Sequence, residues 1–114
     1  MFLRFHFIEG GVGTTDNAVL DYFDGTVWST LADMPKSPAG SCGAQGTWTI
    51  FSIALPASAN NNPNVRVGFR WVNDDDGAGT DPSIAIDDIE IFAPYVPTGT
   101  GLVVNELSNG TTGN

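Results

Sequence analysis

Basic side chains are scarce in this chain: four Lys and Arg stand against thirteen Asp and Glu, giving a net charge of −9. That balance repels polyphosphate backbones and anionic membrane surfaces, so nucleic acid is not an expected partner. Cysteine occurs once, and Cys42 alone cannot close a disulfide within the chain; in its Gly/Ser loop it reads as a small, semi-buried thiol. Histidine also occurs once. His6, read as an outward-facing strand residue, cannot by itself supply a histidine metal site, a triad or a Cys–His pair, and neither GxSxG nor HExxH is found. Catalysis would have to be carboxylate chemistry of the glycosidase kind, in a cleft that 114 residues can only make shallow, and no catalytic residue is expected. Long apolar runs are missing too, and the N-terminal residues alternate instead of forming a charged, then apolar leader. Neither a membrane-spanning helix nor a signal peptide is expected.

What remains is a β pattern. No segment sustains a helical period, whereas Gly, Pro, Asn and Thr punctuate several alternating segments. Leu3, Phe5 and Phe7 alternate with Phe2, Arg4, His6 and Ile8 in a first strand ending at Glu9-Gly10-Gly11. Residues 18–23 and 26–31 flank Asp24-Gly25 as a tight hairpin. A long Pro/Gly/Ser connection, 32–46, leads to a strand over 48–55, and after an Asn-rich turn Val65, Val67, Phe69 and Trp71 form the clearest amphipathic strand. Residues 84–92 complete the set, and Pro94 and Pro97 mark its end. The organisation predicted is one all-β domain over residues 1–93. Residues 94–114 follow as a Gly/Asn/Thr-rich linker or the first strand of another β domain, with a glycosylation sequon at Asn109.

The chemistry-bearing segment is 71–92. Asp74, Asp76 and Asp81, with Asn73 and the glycines at 77 and 79, offer oxygen ligands on a backbone able to fold around a hard cation such as Ca²⁺, although the spacing is not that of an EF-hand. A solvated acidic turn explains the same residues equally well. In the closing strand Asp87 shares parity with Ile89 and Ile91, and Asp88 with Ile84 and Ile86, so strict alternation sends one of the two carboxylates inward. Asp87 is the one expected to need a cation. The three tryptophans read mainly as packing residues, Trp71 in step with Phe69, Trp48 in step with Ile50, and Trp28 capping the sheet beyond the hairpin. If a glycan is bound, Trp28, Tyr22 and Tyr95 are the candidates.

Taken in order, FLRFHFIEGG, DNAVLDYFDGTVWSTL, GTWTIFSIALP, VRVGFRWVN and SIAIDDIEIF resemble the second part of a MAM-type or cleaved-adhesin-type jelly roll, over residues 2–93. Thr26 stands where the family's hairpin has a second Gly. The resemblance implies an antiparallel jelly-roll β-sandwich whose first strand or two would precede Met1. It also implies a non-catalytic adhesion or accessory module of a multidomain bacterial protein, secreted by the type IX route or held at the cell surface, and an acidic, Lys-poor composition fits export. Many such modules bind calcium, and the matching positions here are Asp87 and Asp16, whose strand ends would meet and share an ion with loop carbonyls. Partners would be other domains of the same polypeptide, neighbouring subunits joined by strand complementation, or a glycan. Residues 102–114, LVVNELSNGTTGN, resemble the opening of a lamin-tail-type β domain.

Overall fold

The computed structural model describes residues 1–41, 46–77 and 83–94. Among these residues are six strands, β1 (Phe2–Glu9), β2 (Asn17–Phe23), β3 (Trp28–Asp33), β4 (Thr49–Ala54), β5 (Arg66–Val72) and β6 (Ile84–Phe92), with one short 3-10 turn at Ala57–Ala59. Two antiparallel three-stranded sheets result, ordered β4-β1-β6 and β3-β2-β5. The expected all-β sandwich is the architecture found. Among the described residues no helix is long and apolar enough to cross a membrane.

The two central strands carry the core because each is flanked on both edges and covered by the other sheet. Leu3, Phe5 and Phe7 of β1 and Ala18, Leu20 and Tyr22 of β2 are buried, joined by Met34, Leu55 and Ala59 from the connections. Phe5 sits at the centre: its ring meets Phe69 of the opposite sheet edge-on at 4.9 Å and Phe51 of the neighbouring strand at 5.5 Å. Such offset and edge-to-face contacts add to the apolar area these rings remove from water.

The hairpin differs in detail from the sequence expectation. Asp24 N–H donates to the Val27 carbonyl at 3.2 Å, which puts Gly25 and Thr26 at the tip and delays the third strand to Trp28. Gly25 takes a φ of 103°, which favours glycine, and the Asp24 carboxylate accepts the N–H groups of Thr26 and Val27 at 2.7 and 2.9 Å. Those donors, Val27 first, hold the Asp24 carboxyl below its ordinary range.

Two register shifts bend the sheets, one between Leu20 and Asp21 against β3 and one between Arg4 and His6 against β6. The second decides where the closing-strand carboxylates go. Phe7 pairs with Ile86 and Leu3 with Ile91, so one extra β6 residue is inserted between them and alternation changes phase within Asp87–Ile89. Asp88 absorbs the insertion with a φ of 55°, a conformation that Asp tolerates better than most residues. Ile86 and Ile91 therefore share the inner face although their numbers differ in parity.

The outer face of the β3-β2-β5 sheet is tied by Asp21, which accepts Arg70 Nε and Nη2 at 2.8 and 3.2 Å and the Thr30 hydroxyl at 3.1 Å. The Arg70 hydrogen bonds, against the opposing effect of partial burial and with help from Thr30 and the Arg70 charge, hold the Asp21 carboxyl below its ordinary range. A carboxyl lowered by folding stabilises the fold fully above its unfolded value, and that contribution disappears as pH falls through the folded one. Asp21→Asn is therefore expected to be less stable than the parent at neutral pH. The gap in urea midpoint should close as acidification passes below the ordinary carboxylate range; a gap independent of pH would contradict the pair's role.

Candidate metal centre

Among the described strands four successive pairs change sheet, and three of these changes, after β1, β3 and β5, start and finish at strand ends on one side of the sandwich. That end is where the polar residues converge. Glu9, at the end of β1, is wholly buried, and its Oε2 accepts Lys36 Nζ at 2.5 Å and Ala18 N–H at 3.2 Å, while Oε1 has no hydrogen-bond partner. Lys36 also donates to the Asp16 carbonyl at 2.9 Å and to Asn17 Oδ1 at 2.7 Å, and Asn17 Nδ2 reaches Asp33. Ser37 closes the other side, its N–H and hydroxyl both donating to the Glu9 carbonyl while its Oγ accepts Glu9 N–H. One ammonium thus joins the β1 terminus, the β2 start and the connection after β3.

This junction fixes Asp16, the residue that opens β2. It is 2% exposed, and the chain before it turns so tightly that a Cβ on Gly11 would lie 1.9 Å from the Asp16 carbonyl oxygen and 2.7 Å from the Trp71 ring. Glycine is required there by close approach. From the β5 end the loop 73–77 curls toward the same point through a chain of backbone donors. Asp74 N–H donates to Asp16 Oδ1 at 3.3 Å, Asp75 N–H to Asn73 Oδ1 at 2.7 Å, and Asp76 N–H to Asp74 Oδ1 at 3.3 Å. Asp75 takes a φ of 60° to make the bend. The result brings one carboxylate oxygen each from Asp16, Asp74 and Asp76 within 4.8 Å of one another, the first buried and the other two exposed.

Three carboxylates at this separation repel one another by about 1 kcal/mol per pair in water-like surroundings, and more beside a buried group such as Asp16. A calcium ion binds oxygens at about 2.3–2.6 Å, so two ligands on opposite sides of it stand about 5 Å apart. Oxygens that lie within 4.8 Å of one another are close enough to share such an ion. Lys36 meets Asp16 through the backbone carbonyl, which leaves the carboxylate directed to the loop.

Of the residues singled out from the sequence, the structure brings Asp16, Asp74 and Asp76 together, and Asp81 lies outside the described residues. Asp87 does not face inward. The bulge leaves both Asp87 and Asp88 exposed, Asp87 opposite His6 in register with its Oδ1 accepting Asp88 N–H at 2.8 Å, and it is not one of the three grouped carboxylates. His6 is half-buried; its Nδ1 lies 3.1 Å from Asp88 Oδ2 without the alignment of a hydrogen bond. Tyr22 is a core residue whose hydroxyl pairs with Ser58 Oγ at 2.9 Å, so its ring is closed to a ligand. Trp71 packs on the core as expected, but Trp48 is exposed because its partner in step, Ile50, lies opposite the outward His6. Trp28 is exposed, and Tyr95 and Cys42 lie outside the described residues.

The Glu9–Lys36 junction was not anticipated from the sequence. A signal for it was present: Lys36 is the only lysine of a strongly acidic chain and stands between Pro35 and Pro38, a setting that spends little conformational freedom on holding it. No family model, curated protein or solved structure matches this chain.

Lys36→Met is expected to cost roughly the lower part of the 3–5 kcal/mol typical of stranding a buried charge, because the lysine side chain is about one-third exposed. Adding Glu9→Gln to that variant should restore part of the loss in a urea titration. A Lys36→Met protein as stable as the parent would show that the junction does not hold this end together.

Proposed function

We propose that this chain is a non-catalytic adhesion or accessory module of a multidomain extracellular or cell-surface protein, stabilised by Ca²⁺ held by Asp16, Asp74 and Asp76. The convergence of these three carboxylates carries the reading. Asp16 is preset by the packed junction, whereas Asp74 and Asp76 ride on a loop with room to adjust, and Ca²⁺ takes six to eight oxygens in pliable geometry where Mg²⁺ demands a tight octahedron. Backbone carbonyls and water would complete the shell. A module role is supported by the way acidic groups are engaged, Glu9 by Lys36 and Glu90 by Arg4, which leaves these two carboxylates committed to structure. The likeness to MAM-type or cleaved-adhesin-type jelly rolls, and the acidic, lysine-poor composition, support the extracellular setting.

A second reading, a subunit that accepts a strand from a neighbour, is favoured by one observation. Ile91 faces the same side as the buried Leu3 opposite it, yet Ile91 and Ile89 are 42% and 53% exposed, on a strand at the edge of its sheet. An open edge beside uncovered apolar side chains is the arrangement that an added strand would complete.

Free Ca²⁺ at about a hundred times its dissociation constant should raise stability by about 2.7 kcal/mol, with chelator reversing it and Asp16→Asn or Asp74→Asn abolishing it. An unfolding midpoint indifferent to both Ca²⁺ and chelator would refute the metal site. For the second reading, sedimentation at rising concentration should show self-association that Ile89→Lys suppresses. A parent that stays monomeric removes that reading.

A further inference from the structure

The outer face of the β3-β2-β5 sheet presents a feature that the metal centre does not involve. Trp28 opens β3 at the tip end of the hairpin and is 54% exposed. Its indole does not hang free: the ring leans on Phe23 at 5.2 Å and 37°, and its six-membered part lies over Gly68, where a Cβ would approach to 3.2 Å of Cζ3. The missing side chain at 68 lets a large aromatic plane lie down across the sheet with its remaining surface in water.

Beside it the Asp21–Thr30–Arg70 network described above forms a polar margin. Arg70 and Asp21 bind each other by two hydrogen bonds, so both are held in place before any ligand arrives, and their charges cancel. Asp21, Trp28, Ser29, Thr30 and Arg70 together line a recess of about 180 Å³. Enclosing small-molecule pockets begin near 300 Å³, so this recess suits one ring resting on the surface, not a ligand swallowed whole.

An exposed aromatic plane next to oriented donors and acceptors matches one ligand chemistry in particular. A pyranose offers a C–H face to the indole and a rim of hydroxyls, each both donor and acceptor, to the groups at its margin. We propose that Trp28, Asp21, Thr30 and Arg70 form a binding platform for a neutral pyranose at the end or along the side of a glycan chain. The neutral class follows from the charges: Arg70 is already matched by Asp21, Arg66 lies over the Phe23 ring, and the chain as a whole carries −9, which disfavours uronic or sialic sugars. Ordering costs at the site are small because the plane and the margin are already fixed, but a ligand of a dozen non-hydrogen atoms on an open surface binds in about the millimolar range.

The test is a titration of the whole chain with methyl pyranosides of glucose, galactose, mannose and xylose, their β-linked or α-linked tetrasaccharides, and glucuronic acid as the acidic control. Indole N–H shifts of the three tryptophans are followed by NMR. We expect saturable movement of the Trp28 resonance with at least one neutral sugar, with Trp48 and Trp71 unmoved. Trp28→Ala should weaken binding at least tenfold, and Arg70→Gln should weaken it several-fold. Gly68→Ala, which lifts the indole without removing it, should also lower affinity while leaving the amide spectrum of the fold in place. Running each titration in Ca²⁺ and in chelator separates this site from the metal centre, since the Trp28 response should survive both conditions as long as the chain stays folded. No saturable Trp28 shift with any neutral sugar overturns the proposal, as does binding insensitive to Trp28→Ala, or glucuronic acid binding more tightly than the neutral sugars.

Discussion

One ammonium group organises the end of the molecule where the chain crosses most often between its sheets. Lys36 places its positive charge against the buried Glu9 carboxylate and spends its other donors on the Asp16 carbonyl and the Asn17 amide oxygen. A carboxylate enclosed as fully as Glu9 is intolerable without such a partner. The pairing is therefore a condition for β1 to run inward to its last residue, and with it for β2 to begin where it does. The edge-on packing of Phe5 against Phe69 joins the same two sheets nearer the middle of their strands.

The acidic loop depends on the same junction. Asp16 is immobilised from behind by Lys36 and squeezed from one side by the turn at Gly11, and only then can the Asp74 N–H find its carboxylate. A buried charge pair, an acceptor held beside it and a loop wound on that acceptor thus stand in line. Asn73 and Asp74 each accept a backbone N–H two residues on, which lets the loop keep its shape with very little apolar burial.

Much of this was legible in the residues, and the exceptions have physical reasons. Strands came through because alternation reports burial directly: Leu3, Phe5 and Phe7 read inward and are inward. Asp74 and Asp76 were legible as oxygen donors, whereas Asp16 entered only through the family resemblance and as a partner of Asp87; the meeting of Asp16 with the loop pair is a property of the fold. Asp87 misled because a parity argument assumes an unbroken pleat, and a single inserted residue at Asp88 reverses the phase of everything after it. Tyr22 misled in the opposite way, since a phenol reads as a surface handle until Ser58 is found waiting for its hydroxyl in the fold. Lys36 was hidden inside a stretch that looks like a plain connection, and a long-range pair of this kind leaves no local periodicity.

Because three of the four changes of sheet among the described strands lie at the Lys36 end, the two sheets are not fastened symmetrically. The opposite end is spanned by the connection after β4, tacked down by Ser58 on Tyr22 and by Asn62 on the Asp24 carbonyl. The sandwich is in this sense a jaw, with its hinge at the charged junction and its lips at the hairpin. With one crossing against three, the lips are the end where the fewest connections join the sheets, and the buried Tyr22 and Leu55 are core residues on that side.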